Sequence, residues 1–460
     1  MDAREWTLRL APEDDEETVT LSKRKFEEFL RHLDRLEKER EQKAREFEEY
    51  KKRHPETVGV KFGKAYALRT PIEPRPCGGR PGARFGHAPH LRPRPDHIDR
   101  RVHLSLDRCP HCHGRQLSAV QATRSRLVED LPEPRVEVTE YTVERRYCRD
   151  CRKLVEPTVP GVLPGAQLGL RAMHALVQMR VQHRMTVEQI PPLLESLYGL
   201  KVSEGEVHAV LTQMAEVYTP VFEGFQEEMR AAPAKYLDET PWWLNGSSAY
   251  LWVAATPREA IYRIDPSRGH EVAMGLLGLQ PKGTMVHDRF SAYATVARKT
   301  NLAQQLCWFH LLGDSKELVE FLGEEGRQIH TVMKTIYHAA QRIAGQGTER
   351  DVEQLWEALE GGLRNRQGTS SRGERFVTDV LAQRAWLFEF VRNPEVEGTN
   401  NRAERALRPM VVARKIFGGN RSGRGAKVFE VLASVVQTLR LRDQSLMAHG
   451  PGHLRSANFG

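Results

Sequence analysis

At 460 residues the chain is long enough for two or three domains, each with its own core. Its 40% hydrophobic and 28% charged residues are ordinary for a soluble globular protein, and no run approaches the roughly 18 apolar residues of a membrane span. The formal charge of +8 points to a polyanionic partner, and the charged start Met1-Asp2-Ala3-Arg4-Glu5 predicts no signal peptide and a cytoplasmic protein.

Residues 1–20 are acidic and mixed, and read as a loose tail. Residues 21–54 are almost wholly charged, with Phe26, Leu33 and Phe47 on one heptad position and Phe29, Leu36 and Tyr50 on the next. Arg40 and Lys43 interrupt that seam, which leaves two readings: a weak coiled coil for self-association, or a solvated helix without a partner. Residues 55–101 form a basic linker, richest in Pro, Gly, Arg and His over 71–101, as in Arg92-Pro93-Arg94-Pro95. Too few apolar groups are present to offset its ordering entropy, so it is a spacer or a strand laid along DNA phosphates.

Residues 102–156 carry two CxxC pairs, Cys109-Pro110-His111-Cys112 and Cys148-Arg149-Asp150-Cys151. In a reducing cytosol such pairs bind metal rather than form disulfides. Four thiolates close a tetrahedral zinc site, which makes this ion structural; His111 and His113 are spare donors. The alternation around Val136 and Val138, shifted by one residue at Tyr141 and Val143, predicts strands between the knuckles with a bulge near Glu140. The expectation is a zinc ribbon.

Helical periodicity takes over in 157–230. Leu170, Met173, Leu176 and Val177 share one face, and Val207, Val210, Leu211 and Met214 another. A short helix over Thr186–Leu197, broken or restarted at Pro191-Pro192, a turn at Tyr198-Gly199-Leu200-Lys201 and an N-cap at Ser203 give the order helix, turn, helix. That pattern fits a helix-turn-helix, and equally an ordinary helical hairpin.

Over 231–310, strands are predicted at Lys235–Leu237, Ala249–Ala254, Ala260–Ile264, Thr284–Val286 and Leu302–Cys307, with a helix over 267–278 after the third. Three strands, a helix and two more strands is the order of the first part of a ribonuclease-H-like core. Residues 311–392 read as all helical, 393–445 as the second part of the core with a helix opening at an Asn cap, and 446–460 as a tail. The predicted class is therefore multidomain α+β: an α/β core with a helical insertion, preceded by the ribbon, the helix-turn-helix region and an N-terminal helix.

Three acids fall where such a core converges. Asp238 ends the first predicted strand, Asp288 follows the fourth, and Glu404 lies on the late helix. Hard carboxylate oxygens are what magnesium (or manganese) takes when it acts on phosphate. Taken singly, Asp238 could be a turn residue, Asp288 an N-cap, and Glu404 a surface partner of Arg408. Glu239, next to Asp238, should point to the opposite face. Downstream, Arg402, Arg405, Arg408, Arg414, Lys415, Arg421, Arg424 and Lys427 stand against one acid, Glu404, a local charge of eight minus one, +7. Such a run suits phosphate neutralisation, with Gly418, Gly419 and Gly423 allowing close approach.

The stretches Asp238-Glu239-Thr240-Pro241, His287-Asp288-Arg289 with Tyr293, Cys307-Trp308-Phe309-His310, and Asn400-Asn401-Arg402-Ala403-Glu404-Arg405-Ala406-Leu407-Arg408-Pro409 resemble the insertion-sequence 66 family of transposases. The resemblance runs from about Phe85 to Leu441, and the Asn-Asn-x-Ala-Glu-Arg-x-Leu-Arg-Pro run is its most specific part. It implies that Asp238, Asp288 and Glu404 are the acidic triad of a DDE-type enzyme that cleaves and joins DNA strands at insertion-sequence ends. The implied partners are double-stranded DNA (terminal inverted repeats and target), further copies of the chain, and accessory proteins of the same element. Asn401 and Arg405 would flank Glu404, and the basic residues Arg408, Arg414, Lys415, Arg421, Arg424 and Lys427 would track the backbone. Cys307 and His310 are an accessory pair, or a buried thiol and a helix-capping His. The chain departs from the family where Leu311-Leu312-Gly313-Asp314 replaces a basic pair, and where His113 stands for a more usual glycine. Two other readings of the same residues are a DNA-binding regulator with a silent core and a ribonuclease-H-like nuclease.

Overall fold

A computed structural model describes residues 95–456 together with Trp6–Arg9, Thr18–Leu21 and Gln42. Two compact units divide at Ser125. The heptad seam of residues 21–54 and the linker up to residue 94 lie outside the described residues, apart from Leu21 and Gln42.

In the first unit, β1 (Trp6–Arg9) pairs antiparallel with β2 (Thr18–Leu21) in register Trp6↔Leu21, all but Leu21 within the segment read as a loose tail. Further along, His113 N–H donates to Cys109 O at 2.8 Å and Cys109 N–H to Gly114 O at 2.9 Å, closing a tight turn around the first knuckle. His113 takes the left-handed conformation, φ 60°.

The second unit opens with a short hairpin, β3 (Arg146–Cys148) and β4 (Lys153–Val155), folded about the second knuckle. The longer strands expected around Val136 and Val138 do not form. Val138 is 88% exposed and Tyr141 50%, so the alternation has no surface to bury against.

Helices follow: α1 (Leu170–Val177), α2 (Ile190–Tyr198) and α3 (Glu204–Ala231). Pro191 and Pro192 occupy the first turn of α2, where no N–H is needed, so they start the helix rather than break it. Gly199 ends α2 in the left-handed conformation, and Ser203 Oγ accepts from Glu206 N–H at 3.1 Å to begin α3. The 28-residue α3 buries Val207, Leu211, Met214, Tyr218, Phe225 and Met229 along one stripe and delivers the chain to the sheet.

That sheet has five strands in the order β7-β6-β5-β8-β9: β5 (Ala234–Leu244), β6 (Ser247–Ala255), β7 (Ala260–Asp265), β8 (Thr284–His287) and β9 (Ala303–Leu306). The first three form an antiparallel meander, and β8 and β9 add parallel to β5. A two-residue turn, Asn245-Gly246, both at positive φ, joins β5 to β6. The crossovers are α4 (His270–Leu277) before β8 and α5 (Ser291–Thr300) before β9. Next comes an all-helical stretch: α6 (Trp308–Leu322), α7 (Glu324–Arg342), α8 (Glu349–Arg364), α9 (Ser371–Leu381) and α10 (Glu389–Arg392). The chain returns to the sheet with α11 (Asn401–Phe417) and α12 (Gly423–Leu441), followed by α13 (Leu446–Ser456).

The edge of β7 is covered by a helix. Glu430 Oε1, Ser434 Oγ and Thr438 Oγ1 of α12 accept the N–H groups of Ile264, Tyr262 and Ala260 at 2.7, 2.9 and 3.2 Å. Four residues of helix rise about 6 Å and two residues of strand about 6.6 Å, so the two repeats keep step. Open edge groups are thereby satisfied. No helix among the described residues is long and apolar enough to cross a membrane.

Candidate active site

Asp238 lies inside β5 rather than at its end. Parallel pairing with β8 stops at Tyr236↔Val286, and β5 runs on to Leu244 as one arm of the hairpin. Asp238 therefore sits two residues beyond the last β5–β8 pair. Asp288 follows directly on β8, and its Oδ1 accepts from Phe290 N–H at 2.8 Å. Asp238 Oδ1 likewise accepts from Glu239 N–H at 2.9 Å.

Glu404 arrives by a different route. Asn400 Nδ2 donates to Leu237 O at 2.8 Å, and Asn400 N–H points at Cys307 Sγ at 3.1 Å. Trp308 N–H bonds Gly398 O at 2.9 Å. The start of α11 is thus fastened both to β5, one residue before Asp238, and to the end of β9. The sequence predicts Asn400 as the cap of this helix; its side chain instead reaches the strand, and no side-chain cap bond forms.

The three acids share one electrostatic neighbourhood. The Asp238 carboxyl is pushed up to about 8, first by burial, then by the charges of Glu239, Asp288 and Glu404. Residues 50 and 166 positions downstream (288 − 238 and 404 − 238) thus act on one carboxyl. Glu404 Oε1 is buried and has no hydrogen-bond partner. It lies 3.8 Å from His310 Nε2. His310 is raised to about 9, foremost by the Cys307 side chain beside it, with Glu404 and Asp288 adding.

Sequence reasoning places Glu239 on the other face of β5 and names no partners for it. It accepts the Tyr293 hydroxyl at 2.6 Å and the Arg268 guanidinium at 2.7 Å, and Arg268 stacks 4.1 Å over the Phe290 ring. Burial holds the Glu239 carboxyl above its usual range against those two donors. Arg268 and Tyr293 come from segments before α4 and within α5; the only signal for either is Tyr293 beside the His-Asp-Arg motif.

Of the basic residues, Arg408 and Lys415 follow Glu404 along one stripe of α11, four and eleven positions on, and both are exposed. Arg405 lies apart, lining a cavity of about 260 Å³ with Tyr262, Arg402 and Arg440. Asn401 is the first residue of α11 and half-buried. Arg414 turns inward to Thr240 Oγ1 at 3.2 Å and to Pro241 O. Arg421 and Arg424 line a cleft of about 990 Å³ with Arg180, His208 and Asn420, between the N-terminal half of α3 and the α11–α12 turn. Lys427 pairs with Glu430 at 3.2 Å. That turn is clamped to the hairpin tip: Trp242 Nε1 donates to Asn420 Oδ1 at 2.9 Å, and a Cβ on Gly419 (φ 106°) would stand 2.3 Å from Trp243 O.

Each CxxC turn has the local form of a metal knuckle. The Cys109 thiol is lowered by the N–H groups of Cys112 and His111, and the Cys148 thiol by those of Cys151 and Asp150.

Residues 166–428 match the family described as Transposase IS66 family, more than half of the chain. The chain belongs to the IS66 family of transposases. Residues 107–152 match the zinc-finger binding domain of transposase IS66, in the stretch that holds both knuckles. Among relatives, the chain is 24% identical over 395 residues to the uncharacterized protein y4jD of Sinorhizobium fredii (strain NBRC 101917 / NGR234), covering 78% of this chain and 75% of that one. It is 25% identical over 252 residues to the uncharacterized protein y4qI of the same organism, covering 47% and 46%.

Proposed function

We propose that this IS66 transposase cleaves DNA strands at the ends of its element and joins them to target DNA, with Asp238, Asp288 and Glu404 as its catalytic acids. The observation that carries the reading is the elevated Asp238 carboxyl, with Asp288 and Glu404 among its causes. Sheet order and the late helix fit a ribonuclease-H-like core, with residues 311–392 as a helical insertion.

Divalent metal fits the donor set: three acids supply hard oxygens, and the buried, unpartnered Oε1 of Glu404 supplies an acceptor without a donor. When bound there, magnesium or manganese would supply charge neutralisation and polarise the phosphodiester. The chain's own groups orient the acids. Backbone N–H groups fix one oxygen each of Asp238 and Asp288, and Asn400 fixes the helix that carries Glu404. Arg408 and Lys415 would receive the phosphates flanking the scissile bond, and Arg421 and Arg424 would hold duplex DNA further out. Cys109, Cys112, Cys148 and Cys151 would supply thiolates for structural zinc, and the zinc-finger region with α2 and α3 would recognise terminal repeats. Acting on two ends calls for at least two copies, with accessory proteins of the element as further partners.

The test is a paired-end assay with magnesium. A transposase cuts and joins, a nuclease cuts without joining, and a regulator only binds. Joined product from the wild-type chain supports the reading; binding or cutting alone overturns it.

A further inference from the structure

Beside the three acids lies a second donor set of different chemistry. Cys307 follows β9 as the N-cap of α6 and is buried, His310 lies in the first turn of α6, and Glu404 reaches them from α11; one ligand atom from each lies within 4.8 Å of the other two. Two of these side chains carry unsatisfied atoms: His310 Nδ1 and Glu404 Oε1 are both buried without a hydrogen-bond partner. Buried polar atoms are nearly always paired, and an absent ion is one standard reason for an exception.

The donors are sulfur, nitrogen and oxygen. Magnesium takes oxygen alone, whereas zinc accepts thiolate, imidazole and carboxylate together in tetrahedral sites. Three protein ligands with a fourth position left for water is the open form of such a site. Neighbouring groups support it. The Asn400 N–H aimed at Cys307 Sγ, at 3.1 Å, is a donor that a metal-bound thiolate accepts. Asn400 is itself held by Leu237 O, so the sulfur, the donor and the start of α11 form one rigid corner.

We propose that Cys307, His310 and Glu404 form a zinc-class metal site, distinct from the four-cysteine knuckles and sharing Glu404 with the acid triad. Zinc held there would engage the Glu404 carboxylate, so zinc and magnesium would compete for one carboxylate. The competition rests on the proposed role of Glu404; the zinc site does not.

Zinc content separates the two. Full-length protein, loaded with zinc and dialysed against a weak chelator, is compared with Cys307→Ser, His310→Ala and Asp238→Asn. The wild type is expected to retain about one zinc per chain more than Cys307→Ser and His310→Ala, and Asp238→Asn to match the wild type. Cobalt loaded in place of zinc should show stronger thiolate-to-metal absorption in the wild type than in Cys307→Ser. Should Cys307→Ser fail to fold, His310→Ala, whose side chain is 43% exposed, decides alone. Equal zinc in the wild type and His310→Ala overturns the site, as does loss of the extra zinc in Asp238→Asn, which would place that ion among the three acids. Retained zinc in a chain that never joins DNA would leave this site standing and the proposed reaction refuted.

Discussion

Asn400 and Leu237 are joined by a 2.8 Å hydrogen bond from the Asn400 Nδ2 to the Leu237 carbonyl. Asn400 is fully buried, and this bond ties the helix of Glu404 to the strand of Asp238 one residue before the acid. Asn400→Ala should cost about 1–3 kcal/mol, the usual penalty for a stranded buried group. It should also lower end cleavage more than end binding, because it loosens Glu404 and leaves the basic residues in place. Denaturant unfolding together with gel-shift and cleavage assays measures both; unchanged stability and cleavage would refute the role.

The elevated Asp238 carboxyl makes metal-free stability depend on pH. Its folded-state value of about 8 lies above the ordinary aspartate value, so the folded chain favours the protonated form. Relative to acid pH, stability is lost as pH rises from about 4 through about 8. Thermal melts with a chelator present should fall over that range, and Asp238→Asn should flatten the fall and raise the melting temperature at its alkaline end. Parallel curves for the two proteins would contradict an elevated Asp238 carboxyl.

Helix α12 satisfies the β7 edge through side chains 166 to 178 residues away in sequence. Ser434→Ala and Thr438→Val each strand a buried N–H, and each should cost about 1–3 kcal/mol. Differential scanning calorimetry at neutral pH measures the loss; a melting temperature within error of the wild type for both would show that the edge finds other acceptors or water.

Much of this is legible in the sequence. Asn245-Gly246 between apolar runs announces the β5–β6 hairpin, and Ser203 with Gly199 announces the α2–α3 break, because turn and cap chemistry is local. The three acids are picked out by strand order together with the family resemblance, and their catalytic role is a proposal on that basis. What stays hidden depends on contact between distant segments. The pleat puts Glu239 opposite Asp238, but nothing in its neighbours names Arg268 or Tyr293 as its donors. Arg405 sits one residue from Glu404 in sequence and, at about 100° per helical residue, faces a cavity that Glu404 does not line. Val136 and Val138 alternate as a strand should, yet no apolar partner covers them, and pattern without a surface gives no strand.

Arg421 and Arg424 line the cleft beside α3, and Arg408 and Lys415 line the Glu404 stripe. Replacing Arg421 and Arg424 by Gln should reduce the slope of log affinity against log salt by about 0.9 for each phosphate that is no longer neutralised. Fluorescence anisotropy on an end duplex at several salt concentrations measures it. An unchanged slope would remove the cleft from the DNA path.

In the proposed reaction Asp238, Asp288 and Glu404 act together on DNA. Its most direct test is strand cleavage and transfer by Asp288→Ala and Glu404→Gln on paired end duplexes with magnesium, alongside end binding by the same proteins. Both variants should bind ends within a few-fold of the wild type while cleavage and joining fall below detection. Joined product from either variant would refute the catalytic role of these acids.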